Sequence, residues 1–212
     1  MPRSDALKGM AKEEKLEHLL DMAHRCLSRH GFGGTTMERM AKEAGVSTGT
    51  LTYYFKNKED ITCRVASHVA NKFHSEVRQA LVGLKDPRER LIRAIELFWT
   101  GYIGRPEVIT GYYDMWAQSF FHPALREEVI AIVTDFRRIF LDELVRLSAA
   151  AGPDGERLLS DAVLIAGVVD GVATQFFREP ELTDWDRVLA RLKKIVSTML
   201  DSPSIEGRKA KS

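Results

Sequence analysis

The sequence predicts an all-α protein, a small N-terminal helix-turn-helix unit followed by a larger helical bundle, with about nine helices in total. Three observations carry that prediction. Apolar residues recur at three- and four-residue spacing along most of the chain, Ser, Thr, Asn, Asp, Gly and Pro punctuate the stripes where helices start and stop, and strand-type alternation is nowhere to be found. A chain of 212 residues is long enough to bury a sizeable core in one or two domains.

Residues 1 to 11 are small and polar and read as a frayed arm, with Arg3, Lys8 and Lys12 able to touch a nucleic-acid backbone or minor groove. The first helix is predicted over about Glu13 to His30 on the stripe Leu16, Leu19, Leu20, Ala23, Cys26 and Leu27, and Gly31 ends it. Thr35 and Glu38 have the spacing of a capping box, so a second helix starts at Thr35 or Thr36. It stops at Gly45, Val46 plugs the turn, and Ser47 caps a third helix whose Leu51 and Phe55 share one face. Asn57 caps a fourth helix running to about Leu84, some 40 Å long at ~1.5 Å per residue, the natural connecting rod to the rest of the chain. Asp86 with Pro87 starts a fifth, Gly101 and Gly104 to Pro106 interrupt the chain before a sixth, and His122 with Pro123 starts a seventh. From Leu158 to Phe177 the eighth is apolar almost all round, and a ninth spans Thr183 to Leu200. These boundaries divide the chain into a reading domain over 1–57, a bundle over 58–200 and a disordered tail over 201–212.

A short helix held across a tight turn with a polar tip is the geometry that enters a major groove. Thr48, Thr50 and Tyr53 are candidates for base edges, with Gly49 and Ser47 at the tip, while Thr35, Thr36, Tyr54, Lys56 and Lys58 are candidates for the backbone. Charge placement agrees. Residues 1 to 58 hold ten Lys/Arg against seven Asp/Glu, a balance of +3, and the remainder holds 21 against 23, a balance of −2.

The run GFGGTTMERMAKEAGVSTGTLTYYFKNKEDI resembles the DNA-binding domain of TetR-type transcriptional regulators, in which GF, TT, AGVS, G and YF-x-x-K recur at these spacings. Many members carry two aromatics and a His before the Phe; the Thr52, Tyr53, Tyr54, Phe55 of this chain is closer to the betaine-pathway regulators. The resemblance implies a regulator, most often a repressor, that binds a palindromic double-stranded DNA operator as a homodimer and is released by a small organic effector. It also places the dimer contact on the last two helices, where Leu159, Val163, Ala166, Gly167, Trp185, Leu189, Leu192 and Val196 stand; Gly167 and Gly171 form a flat strip for close helix approach.

The effector is expected among the rings in the middle of the chain, with Trp99, Tyr102, Tyr112, Tyr113, Trp116, Phe136 and Phe176 as candidates and Asp170 as the polar group among them. Asp170 on an apolar helix must be paired, wet or facing a ligand. Rings with a carboxylate, Asp170 or Asp114, suit an organic cation, and a neutral aromatic or fatty effector is equally allowed.

No cofactor or metal site is expected, because the six histidines form no i,i+4 pair. Cys26 and Cys63 sit on apolar stripes and read as buried thiols, a redox switch being the alternative. An enzyme is excluded by the lack of GxSxG, HExxH, P-loop and strand-borne GxGxxG motifs. No apolar run reaches the ~18 residues of a membrane span, so no membrane partner and a cytoplasmic location are expected. An architectural or division-linked DNA-binding protein without an effector is the second reading.

Overall fold

The computed structural model describes residues 7–103, 106–148 and 155–201. Among them are nine helices and no strand: α1 (Lys12–Gly34), α2 (Met37–Glu43), α3 (Thr48–Tyr54), α4 (Lys58–Ala80), α5 (Pro87–Ile103), α6 (Pro106–Ser119), α7 (Pro123–Ser148), α8 (Gly155–Arg178) and α9 (Trp185–Asp201). The expected tail from 202 onward and residues 149–154 before α8 lie outside the described residues, as does Arg3.

Most helix boundaries follow from hydrogen bonds within a few residues. The Asn57 side chain accepts the Asp60 N–H at 2.8 Å, Asp86 accepts the Arg88 N–H at 2.9 Å, and Asp184 accepts the Arg187 N–H at 3.2 Å, capping α4, α5 and α9 in turn. The two largest departures from the sequence reading are at α1 and α4. Helix α1 runs on past Gly31, but as a kinked continuation, with Gly31 at φ 65 and ψ 174. Helix α4 stops at Ala80 instead of Leu84 because the Arg90 guanidinium takes up the carbonyls of Leu81 and Leu84, doing by side chain what another helical turn would have done.

The described chain forms two compact units, and the division differs from the one read at residue 57. The first takes the described parts of Met1–Glu76 and Arg105–Phe136, and the second those of Val77–Gly104 and Arg137–Ser212. In the first, α6 packs along α1, which brings a segment distant in sequence beside the helix-turn-helix. Its core holds Leu19, Ala23, Cys26, Met40, Ala41, Leu51, Phe55 and Ile61, and a neighbouring cluster gathers Phe32, Ala70, Met115, Leu125, Val129 and Ile132. Leu7 is buried in that core and Met10 packs against it, so the end of the expected arm is tied down rather than frayed.

In the second unit, α8 and α9 both pack on α5. Leu91, Ala94, Ile95, Phe98, Ile139, Phe140 and Leu144 are buried there. Arg90 pairs with the buried Glu143 through two hydrogen bonds of 2.7 and 2.8 Å, the bidentate geometry a buried carboxylate requires. At the surface, Arg88 binds Asp201 at 2.6 Å and Lys193 binds Glu96 at 2.6 Å, and both carboxyls are held below their ordinary range by those hydrogen bonds.

Helix α8 corrects the expectation about apolar length. Its 24 residues include a stretch of mean hydropathy 1.4, enough by length and composition to cross a membrane. Within the chain, Leu158, Ala162, Ile165, Ala166 and Val169 are buried while Leu159, Val163, Leu164 and Val168 stay exposed.

Candidate nucleic-acid interface

The reading helix is built by short-range chemistry. Ser47 accepts the Thr50 N–H at 3.0 Å and its hydroxyl lies 2.8 Å from the Thr50 hydroxyl, which closes the N-terminus of α3. Gly45, at φ 68, makes the tight turn that a side chain would strain, and Val46 is buried beneath it. Leu51 and Phe55 spend the apolar side of α3 on the core, at 0% and 1% exposure. The opposite side is free: Tyr53 is 81% exposed, its ring edge-on to Tyr54 at 5.2 Å, and Gly49 and Thr52 lie in solvent beside it.

An open cleft of about 710 Å³ runs along this side, lined by Ser47, Gly49, Thr50, Tyr53 and Tyr54 and, across from them, by Leu7, Lys8 and Lys15. Lys15 was not a candidate in the sequence, because it lies 32 residues before Ser47 and reads there as one more solvated helix charge. The burial of Leu7 is what brings Lys8 to the same place. Thr36, Lys56 and Arg39 are exposed on α2 and around α3, and Arg39 donates to the Gly34 carbonyl at 2.7 Å.

Two candidates for the backbone are used elsewhere. Thr35 is 1% exposed, and its hydroxyl donates to the Gly31 carbonyl at 2.7 Å, so it closes the end of α1 and offers nothing to a phosphate. The cap of α2 is Thr36, which accepts the Arg39 N–H at 3.2 Å. Glu38 is held below the usual carboxylate range by its own backbone N–H and by the Thr36 hydroxyl, a shorter version of the expected box. Lys58 donates to the Phe32 carbonyl at 3.0 Å and sits 4.0 Å from the centre of the Phe32 ring, an internal engagement that removes it from the DNA-facing set.

The expected effector residues fall into separate groups. In the second unit Trp99, Phe176 and Trp185 form one ring cluster with centroids 5.2 to 6.3 Å apart, and Trp185 donates its indole N–H to the Pro180 carbonyl at 2.6 Å. Trp185, expected at a dimer contact, is therefore spent within its own chain. In the first unit Tyr112 packs on the Phe32 cluster with Tyr113 edge-on at 5.4 Å, Phe136 is half-buried, and Trp116 is turned into solvent against Phe120. The Tyr102 side chain lies outside the described residues. Asp114 accepts the Phe32 N–H and so serves the fold at the end of α1. Asp170 is exposed on α8, yet the atoms crowding it raise its carboxyl above the ordinary value.

The expected dimer residues divide as well. Leu159, Val163 and Gly167 are exposed along α8, Ala166 is buried, and Leu189 is half-buried. Leu192 and Val196 are each 3% exposed, consumed by packing within the second unit, so the outward side of α9 carries Arg187, Arg191, Lys194 and Ile195 instead. Neither cysteine is set up as a thiolate: burial pushes Cys26 up, and burial with Glu128, Asp60 and Glu59 pushes Cys63 up to about 11.

Comparison with known proteins agrees with this architecture. Residues 19–63 match the bacterial regulatory proteins of the tetR family, and residues 87–201 match the C-terminal domain of BetI-type transcriptional repressors. The HTH-type transcriptional regulator BetI of Burkholderia cenocepacia J2315 is 25% identical over 165 residues, covering 76% of this chain and 85% of that protein. The Bacillus subtilis regulator FadR, solved in complex with stearoyl-CoA, superposes with a TM-score of 0.73 at 20% identity, over 85% of this chain and 97% of its own. A Saccharomonospora viridis transcriptional regulator solved in complex with choline gives 0.73 at 19% identity, over 88% and 97%. These two structures show the shared fold. The chain belongs to the TetR family of DNA-binding transcriptional regulators, which are not enzymes, and its C-terminal domain is of the BetI type.

Proposed function

We propose that the protein is a cytoplasmic repressor that binds a palindromic operator as a homodimer and is released from it by a small organic effector. The carrying observation is the exposed tip of α3, where Tyr53 projects from a helix whose apolar side is wholly spent on the core. Thr48, Thr50 and Tyr53 read base edges in this account, while Thr36, Tyr54, Lys56, Lys8 and Lys15 hold phosphates on either side. A homodimer supplies two such helices to two half-sites, and the exposed stripe of α8 is the surface for it: apolar, free of bulk at Gly167 and Gly171, and costly to leave in water.

Footprinting on the DNA flanking its own gene tests the reading. Tyr53→Ala should abolish protection while the molecule keeps its wild-type oligomeric state; normal protection by that variant would remove Tyr53 from the reading set.

For the effector, the choline bound by one structural relative and the stearoyl-CoA bound by another show that the fold takes very different ligands. An organic cation is favoured here by Asp170, whose raised carboxyl would gain most from a positive charge beside it, and by the Trp99 and Phe176 rings of the same unit. Calorimetric titration with choline and with polyamines should give heat and weaken operator binding. Silence from both classes would turn the search to neutral aromatic or fatty ligands.

A further inference from the structure

Phe32 is held from three helices of the first unit at once, and it stands directly before the hairpin that carries α3. The left-handed turn at Gly31 interrupts the run of backbone hydrogen bonds in α1 and leaves the Phe32 N–H to find another acceptor. The Asp114 carboxylate of α6 is that acceptor, with its other oxygen 3.5 Å from the Gln118 side-chain amide. At the other end of the same residue, the carbonyl receives Lys58 of α4 at 3.0 Å and the Thr35 N–H at 3.3 Å. The ring lies under the Lys58 ammonium at 4.0 Å and against the His122 ring at 5.2 Å, and His122, just before α7, is itself 3.0 Å from Glu59 of α4.

One orphaned backbone N–H needs only a single acceptor, and water can serve as well as a side chain. Here two ionised side chains from two different helices grip opposite ends of one residue's backbone. Hydrogen bonds to ionised groups are roughly twice as strong as neutral ones and are directional, whereas apolar packing lets helices slide. The approach is close: a Cβ at Gly31 would stand 3.2 Å from the Asp114 carboxylate.

We propose that the Gly31–Phe32 corner is the joint that couples α6 to the DNA-reading helix, with Asp114 and Lys58 as its positioning residues. A displacement of α6 pulls the Phe32 N–H while Lys58 anchors its carbonyl to α4, so the corner turns, and the hairpin built on Thr35 and Thr36 turns with it. The inference rests on the protein being a ligand-responsive DNA-binding regulator. Coupling between sites is reciprocal, so DNA bound at α3 must be felt in α6.

Hydrogen exchange on the full-length protein, with and without a duplex that the wild-type protein selects from random sequence, tests the joint. In the wild type the duplex should slow exchange in α3 and also change exchange in α6 by about fivefold or more, the lower range of measured couplings. In Asp114→Asn, which keeps shape but loses the charge, and separately in Lys58→Met, the α3 effect should persist while the α6 effect falls below about twofold. A purely structural role for the two side chains would lower thermal stability and leave the α6 response to DNA in place. The proposal is overturned by an α6 response that survives in either folded variant, or by a wild type whose α3 is protected with no change in α6. Selection of no duplex at all would instead sink the DNA-binding reading, and the joint's role with it.

Discussion

Helices α3 and α8 both leave large side chains in solvent, and they do so with opposite chemistry. In α3 the apolar residues Leu51 and Phe55 are buried and the exposed side is hydroxyls, a glycine and a tyrosine flanked by lysines. In α8 the inner stripe is buried too, but the exposed side is Leu159, Val163, Leu164 and Val168. A polar tip costs nothing in water and is suited to a partner that comes and goes with salt and effector. Apolar surface left in water costs about 25 cal/mol per Å², which favours a lasting contact. In the proposed function, the reversible and the lasting partner are thus separated by the residue types that two helices turn outward.

That contrast can be broken in three places. The largest effect is expected at the ion pair of the second unit, between α5 and α7. Arg90→Met takes both short hydrogen bonds from Glu143, 3% exposed, and leaves it only the half-exposed Arg146 guanidinium at 3.9 Å, a loss of about 3 kcal/mol. Scanning calorimetry should show Tm falling by roughly 10 °C, the usual conversion for a chain of this size. A fall of a degree or two would mean that Glu143 is rehydrated and the unit is looser than the packing implies.

Next is the exposed stripe itself. Val163→Arg should weaken self-association by about a hundredfold, about 3 kcal/mol, because a guanidinium would be forced into an apolar contact. Sedimentation equilibrium checks this, and an unchanged dimer would move the contact off α8. The smallest effect concerns Asp170. Its folded pKa lies above the ordinary value of 3.8, so the carboxyl stabilises the fold relative to its ionised form only at low pH, and that advantage is lost as pH rises through the folded pKa. Asp170→Asn should therefore be slightly more stable than wild type at neutral pH, with the difference shrinking as pH falls through the folded pKa and gone well below 3.8. Denaturant titrations at the two pH values measure it, and a variant that is less stable at neutral pH would show that the carboxylate has a favourable partner.

What could be read in the chain and what could not is clearest at Thr35 and Thr36. Both are small hydroxyl residues one position apart, and a spacing rule admits either as the cap of α2; the choice was made by the Gly31 carbonyl, which takes Thr35 inward. Lys58 and Asp114 show the same limit. Each looks like a free charge in sequence, one suited to DNA and the other to a cation, and each turns out to be bound to the backbone of Phe32. On α9 the stripe of Leu192 and Val196 was visible, but whether it faced its own chain or a partner depended on α5, which covers it.

The sequence alone determined the helices and the reading hairpin, because their starts and stops are made by contacts two to four residues apart: Asn57 with Asp60, Asp86 with Arg88, Ser47 with Thr50. Only the tertiary structure decided which charges are spent inside, which apolar stripe is left outside, and how α6 grips the corner before α2. Those outcomes depend on segments far apart in the chain meeting in space, as Phe32 and Asp114 do across 82 residues, and pairings at that distance leave no periodic trace in the chain.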